Sequence, residues 1–301
     1  GEKTLGQIES FKSFGIYFIE SMSFGRFKLS GGIRLDNNFL KVDDEFFSNG
    51  DDSGNTKLSA WSNEIGLSYK ILDKSYFFVN SSQSYETPTL SELSANPNGQ
   101  GGFNDLLNVQ KAKNFDFGFN FISESTSFSI IGFIVSTKND LIPYEVADFP
   151  GRTFYQNAGE TLRKGIEIDF NYRLSKKFST SIIYNYTNFK YDEYMLDDLN
   201  LKGNYMPGIP KRFGNFELKY TNSKNISVFY SRNYRGNLYA NDNNTEKISS
   251  FWRDDVSLSI PLKFGKNSFD FFLGFNNIFD KLYADNVRIN AFGNRYYEAA
   301  P

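Results

Sequence analysis

Large apolar residues recur at every second position through most of this chain, and that periodicity calls for β-strands. Phe115, Phe117, Phe119 and Phe121 alternate with Asn114, Asp116, Gly118 and Asn120. Ile166, Ile168, Phe170 and Tyr172 alternate with Glu167, Asp169, Asn171 and Arg173. Val256, Leu258, Ile260 and Leu262 oppose Asp255, Ser257 and Ser259, and Phe269, Phe271, Leu273 and Phe275 share one face. A period of two puts each set on its own side of a sheet. Extended to less regular stretches, the pattern gives about twelve strands. They fall near 13–22, 26–36, 57–70, 75–86, 112–122, 127–137, 162–174, 177–190, 212–221, 225–235, 250–262 and 267–276. Residues 127–137 are apolar on both faces and 75–86 turn polar halfway. Pro261, on a polar face, suggests a strand end.

The connections alternate as regularly as the residues. Short ones fall at Ser23–Gly25, Asp73–Lys74, Glu124–Ser125, Ser175–Lys176, Asn222–Lys224 and Gly265–Lys266. Long ones fall near 37–56, 87–111, 138–161, 191–211, 236–249 and from 277 onward. Short turns at one rim and long loops at the other are the habit of outer-membrane barrels. Most strands also have the length of a tilted transmembrane strand, roughly 9–11 residues. A soluble sandwich or propeller alternates too, but its inner face packs mixed aliphatic residues. Here the apolar faces are dominated by Phe, Tyr, Ile and Leu: 33 Phe, 19 Tyr and 2 Trp make the chain 18% aromatic, although only 40% is hydrophobic. No run approaches the roughly 18 apolar residues of a membrane-crossing helix. Without such helices, a bilayer protein must be a closed barrel, because lipid cannot satisfy a free strand edge. The expected fold is therefore an all-β, antiparallel, up-and-down transmembrane barrel, with residues 1–301 as one domain.

Composition also limits the chemistry. There is no His and no Cys, which removes Ser-His-Asp catalysis, imidazole and thiolate metal ligands and disulfides. We expect no enzyme activity, no catalytic or metal-ligating residue and no cofactor. The formal charge of −2 lacks the basic concentration of a nucleic-acid-binding domain. The chain does not open with Met or a signal peptide. An exported barrel needs such a signal, so a longer precursor is expected.

Five segments, in order, resemble the C-terminal part of the barrel of TonB-dependent receptors. Tyr85-Glu86-Thr87-Pro88-Thr89-Leu90-Ser91-Glu92-Leu93 is similar to the family's rise of a strand into an extracellular loop. Tyr155-Gln156-Asn157-Ala158-Gly159, followed by Arg163-Lys164-Gly165-Ile166-Glu167, resembles its N-A-G … R-x-G-x-E segment. Pro207-Gly208-Ile209-Pro210-Lys211-Arg212 resembles the entry to a late strand. Asn276-Asn277-Ile278-Phe279-Asp280-Lys281-Leu282-Tyr283 resembles the N-L-F-D-K-x-Y signature, and Arg295-Tyr296-Tyr297-Glu298-Ala299-Ala300-Pro301 the lead-in to the last strand. The resemblance implies a barrel of about 22 strands, of which this chain carries about twelve. It implies that the plug, the TonB box, the early strands and the last strand lie outside this chain. It also implies location in the bacterial outer membrane and contact with outer-membrane lipid. Energy would come from the TonB complex, engaged by the absent N-terminal region, and the cargo would be a ferric siderophore or other iron complex. A passive, porin-like channel is the alternative function.

Candidate site residues fall in two sets. Arg34, Glu64, Asp116, Glu167, Asp169, Glu217 and Asp255 are expected to face the lumen, either as a hydrated wall or as partners of a plug. Phe117, Phe119, Ile168, Leu218, Leu258 and Phe271 are expected to face lipid. In the long loops, Tyr144, Arg152, Tyr155, Tyr191, Arg235 and Tyr239, with Tyr194 beside them, offer rings and guanidinium groups. Those would suit an aromatic or anionic siderophore, although Tyr also forms girdles at membrane interfaces. The acidic run Asp43-Asp44-Glu45 with Asp51-Asp52 lacks the ligand spacing of an EF-hand, which leaves a solvated loop as the simpler reading.

Overall fold

A computed structural model describes the chain except residues 1–5, 50, 98–100, 147–148, 150–151, 197, 292–296 and 300–301. Twelve strands form one antiparallel sheet in sequence order. They are β1 (Gln7–Phe24), β2 (Phe27–Asp44), β3 (Gly54–Leu72), β4 (Ser75–Glu86), β5 (Gln110–Ile122) and β6 (Thr126–Glu145). Then come β7 (Thr153–Arg173), β8 (Phe178–Glu193), β9 (Arg212–Thr221), β10 (Ser227–Arg235), β11 (Phe251–Phe264) and β12 (Asn267–Phe275). All twelve expected strands are present, and several run further toward the long-loop rim than periodicity indicated. Beyond the apolar belt the strands are held by backbone pairing and by loop residues that pack on positions such as Leu40, Val42 and Ile142, contacts that the run of apolar residues along one strand does not announce. β1 and β12 do not pair, so the sheet is an open wall.

Up-and-down order puts all short turns at one rim and all long loops at the other. Pro261 does not end its strand; β11 continues to Phe264. The β10 partnership stops at Ser259, while Pro261 still pairs with Asp270 of β12. Pro261 therefore sits where β11 has one neighbour, as on an edge strand, where a missing N–H is tolerated.

Residues opposite one another in antiparallel strands project to the same face, so the register carries a face assignment across the wall. Arg34 faces Ser62 and Glu64 faces Gly32. Gly66, two residues beyond Glu64, leads through Asn80 to Asp116. Asp116 leads through Phe133 to Gly165, which shares a face with Glu167 and Asp169. From Asp169 the path runs through Ile183, Asn215 and its neighbour Glu217, and Ser231, to Asp255. All seven charges thus share one face. By the same register Phe117, Phe119, Ile168, Leu218, Leu258 and Phe271 share the opposite face.

That second face carries an aromatic band near the short-turn rim. Phe24, Phe27, Tyr69, Phe77, Phe119, Phe128 and Phe170 supply one ring from each of β1 to β7. Successive centroids lie 5.7 Å apart for Phe24–Phe27, 4.9 Å for Phe27–Tyr69 and for Phe77–Phe119, 6.3 Å for Phe119–Phe128 and 6.4 Å for Phe128–Phe170. Phe178 and Tyr220 continue the band on β8 and β9 at 4.9 Å. Offset and edge-on rings at these separations attract beyond their area burial, and such girdles mark the interfaces of membrane barrels.

Residues 127–137 are apolar on both faces because two cross-strand phenylalanine–glycine pairs meet there. Phe117 covers Gly132 on one face, and Phe133 covers Gly165 on the other. A Cβ on Gly165 would strike the Phe133 ring and approach the Tyr186 carbonyl oxygen to 2.6 Å. Gly165→Val is therefore expected to destabilise the wall by about 1–3 kcal/mol, the usual cost of overpacking. A lower urea midpoint for the folded-to-unfolded mobility change would show it, and an unchanged midpoint would contradict the pairing.

Candidate ligand site at the long-loop rim

The wall itself is one layer thick, so its hydrophobic cores sit in the loops. One packs Leu40, Val42, Leu93, Phe103 and Leu107, with Leu58, Leu90, Leu141 and Tyr155 against it. It fastens the β4–β5 loop onto β2 and β3. Within that loop a one-turn helix, Leu90–Ser94, carries a capping box: Thr89 Oγ1 accepts from the Glu92 N–H, and the Glu92 carboxylate accepts from the Thr89 N–H. The Thr89-Leu90-Ser91-Glu92 segment quoted above is this capped turn; its S/T-x-x-E spacing signals a helix start, which the strand-centred reading passed over.

The second core holds Ile142, Tyr191, Tyr194, Leu201 and Met206, with Phe189, Leu196 and Ile209. It packs the β8–β9 loop onto the end of β8 and onto Ile142 of β6. Tyr191 is 1% exposed and donates to Asp242 Oδ1 at 2.5 Å. Asn290 Nδ2 donates to Asp242 Oδ2 at 2.8 Å, and the Asp242 N–H donates to Asn290 Oδ1 at 3.0 Å. Burial pushes the Asp242 carboxyl above the usual carboxylate range, against the opposing pull of the Tyr191 and Asn290 hydrogen bonds. One acid thus joins the end of β8, the β10–β11 loop and the segment after β12. Asp242→Ala leaves a buried phenol unsatisfied, a loss of about 1–3 kcal/mol. Proteolysis of folded protein should then cut faster within 194–211 and 236–249 but not at the short turns; unchanged cutting would refute the latch.

The candidate ligand residues divide on this geometry. Tyr191 and Tyr194 are enclosed, with ring centroids 4.7 Å apart and planes tilted by 50°, and belong to the loop core. Tyr155 packs half-buried on the first core. Arg152 is exposed, with its guanidinium 5.1 Å from the Phe154 ring and 5.9 Å from Phe149, and Tyr144 adds a fourth side chain 6.1 Å from Phe154. Arg235 lies 4.7 Å over Phe251, and Tyr239 stacks on Tyr205 at 6.1 Å. Arg152, Tyr144 and their rings therefore form one cluster, whereas Arg235 and Tyr239 sit over other loops.

Several anchoring residues escaped the sequence reading. Arg163, quoted only as part of a motif, pairs with Asp140, which also accepts from Thr161 Oγ1 at 2.8 Å. Arg34 is paired with Asp36 at 2.7 Å. Asp255 accepts from the Asn277 N–H at 2.8 Å, and Asn277 Oδ1 accepts from the Lys281 N–H at 2.9 Å. Positive φ at Asn277 (52°) and Asp280 (48°) completes this turn, which explains Asn and Asp at those motif positions. The acidic loop is likewise structural: Asp44 is buried, and its carboxylate accepts from the Phe46 and Asp52 N–H groups. Of the last quoted segment, Arg295, Tyr296, Ala300 and Pro301 lie outside the described residues.

One polar face, one aromatic face and long loops confined to one rim define part of the wall of a transmembrane β-barrel. The family model described as "TonB dependent receptor-like, beta-barrel" matches residues 4–278, and the chain belongs to that family, whose members are outer-membrane proteins of Gram-negative bacteria and not enzymes. An uncharacterized TonB-dependent receptor of Haemophilus influenzae is 23% identical over 235 residues, which span 76% of this chain and 65% of the relative. The probable TonB-dependent siderophore receptor PiuA of Acinetobacter baumannii is 22% identical over 190 residues, 60% of this chain and 24% of that protein. The crystal structure of PiuA superposes with a TM-score of 0.75 at 18% identity, covering 97% of this chain and 42% of its own. The copper transporter OprC gives a TM-score of 0.77 at 18% identity, covering 97% and 46%. The chain thus spans less than two thirds of each relative's length.

Proposed function

We propose that this chain forms the ligand-admitting side of a receptor that takes up a ferric siderophore or related iron complex by TonB-dependent active transport. The observation that carries the reading is the loop cluster in which the exposed Arg152 guanidinium rests on Phe149 and Phe154 beside Tyr144. A cation set on rings suits a flat anionic chelate, through charge and stacking together. Tyr155, Arg235 and Tyr239 are proposed as further contacts, and Tyr191 as the residue that holds the loops in place. Arg34, Glu64, Asp116, Glu167, Asp169, Glu217 and Asp255 are proposed to line the lumen and meet a plug domain. TonB is the proposed energy-coupling partner. The siderophore receptor PiuA supports iron as the cargo, and OprC makes copper the competing one.

The test is fluorescence titration of the full-length protein with a catecholate ferric siderophore, a carboxylate ferric siderophore and copper(II). Arg152→Glu should weaken ferric-complex binding roughly tenfold or more, as expected for loss of a charged contact. Saturable binding of copper(II) with none of either ferric complex would replace iron by copper.

A further inference from the structure

The outward, aromatic face carries an unneutralised basic site above its apolar belt. Lys164 faces Asn188, and Arg212 faces Tyr186 across β8 and β9. Lys190 is bridged to Tyr205, and its Nζ lies 4.6 Å from the centre of the Tyr205 ring. Lys211 Nζ approaches the same ring to 3.7 Å. Register places Lys164, Lys190 and Arg212 on the face of Ile168 and Leu218. Among the described residues, no carboxylate lies in ion-pair contact with any of these four cations; of the two acids further up this face, Glu160 and its cross-strand partner Glu193, the first is taken by Lys138.

The height of the cluster suits an interface. Lys164, Asn188 and Arg212 lie about ten residues above the short-turn ends of their strands at Arg173, Phe178 and Thr221, one membrane-crossing length. Just below stand Ile166, Ile182, Tyr184, Tyr186 and Phe216, all at least 36% exposed on the same face. The platform is held firmly. The Tyr205 N–H donates to Asn244 Oδ1 at 2.7 Å, and Asn244 Nδ2 donates to the Tyr205 carbonyl at 2.8 Å. Two ammonium groups converging on one anchored ring, without an acid partner, leave positive charge for an outside anion. An anion continuous with an apolar belt is a lipid headgroup.

We propose that Lys190, Lys211 and Tyr205, flanked by Lys164 and Arg212, form a binding site for the phosphate of a phosphorylated lipid in the outer leaflet, seated against the barrel's outer wall. Tyr205 belongs to the β8–β9 loop and its ring stacks on Tyr239, but the site faces the outer wall and stands whatever the cargo is. The test uses full-length protein in detergent, titrated with diphosphorylated lipid A and read by native mass spectrometry. Lys190→Glu with Lys211→Glu should weaken binding about tenfold or more, at about 1 kcal/mol for each basic residue near a charged lipid surface. Lys190→Gln with Lys211→Gln should give an intermediate loss, and guards against a misfolded reversal variant. Lys176→Glu with Lys177→Glu, at the opposite rim, should change nothing. Dephosphorylated lipid A and equimolar inorganic phosphate should fail to compete. Undiminished binding by both Lys190/Lys211 variants, or an equal loss in the Lys176/Lys177 control, would overturn the site. Effective competition by inorganic phosphate would overturn the lipid as its occupant.

Discussion

Phe117→Arg is expected to block assembly of the full-length protein into the outer membrane, whereas Asp116→Asn should leave assembly intact. The two residues are neighbours in β5 and project to opposite faces of the wall. Phe117 is 48% exposed on the aromatic face, about halfway up the apolar belt, and its ring covers Gly132 of β6. An arginine there places a charge near the bilayer midplane, at a cost of about 2–4 kcal/mol, and uncovers the glycine backbone as well. Asn at position 116 keeps a polar side chain on the polar face, opposite Asn80. Heat-modifiable gel mobility of outer-membrane fractions separates folded from unfolded barrel. Equal folded fractions for Phe117→Arg and the parent protein would remove the lipid-facing assignment.

Expressed alone, this chain is expected not to restore growth of an iron-starved receptor mutant on its cognate iron complex, whereas the full-length protein should restore it. The sheet is not closed: β1 and β12 each present an unpaired edge. Free backbone donors and acceptors in hydrocarbon cost several kcal/mol each, and outside the membrane the same edges invite pairing between copies. Aggregation, with no folded band, is the expected biochemical result. Rescue by this chain alone would show that the wall closes by itself and conducts passively, and would set aside energy-coupled uptake.

The face assignments illustrate what a linear pattern can carry. Side chains in a strand alternate whatever the partner strand is, so Asp116 against Phe117, or Asp169 against Ile168, could be separated without coordinates. Loop lengths are likewise a property of the sequence, and up-and-down order follows from short turns that force neighbours to pair. The family segments were legible too, although their reasons were not. Gly165 is required by a ring on β6, more than twenty residues away, whereas Asn277 is set by its own positive φ and by the bond its side chain accepts from the Lys281 N–H.

Alternation along single strands thus determined the antiparallel wall, its two faces and the rim that bears the loops. Only the tertiary structure decided what the loop residues do. Tyr191 and Arg152 look equally suited to a ligand as residue types. Yet Tyr191 is closed inside a core by Asp242, while Arg152 stands exposed on two phenylalanine rings. Burial in loops depends on contacts between segments far apart in the chain, and such contacts leave no periodic trace. The same holds for the basic site on the outer wall. Lys190 and Lys211 become neighbours because the loop between them folds back along β8 to place Tyr205 beneath both.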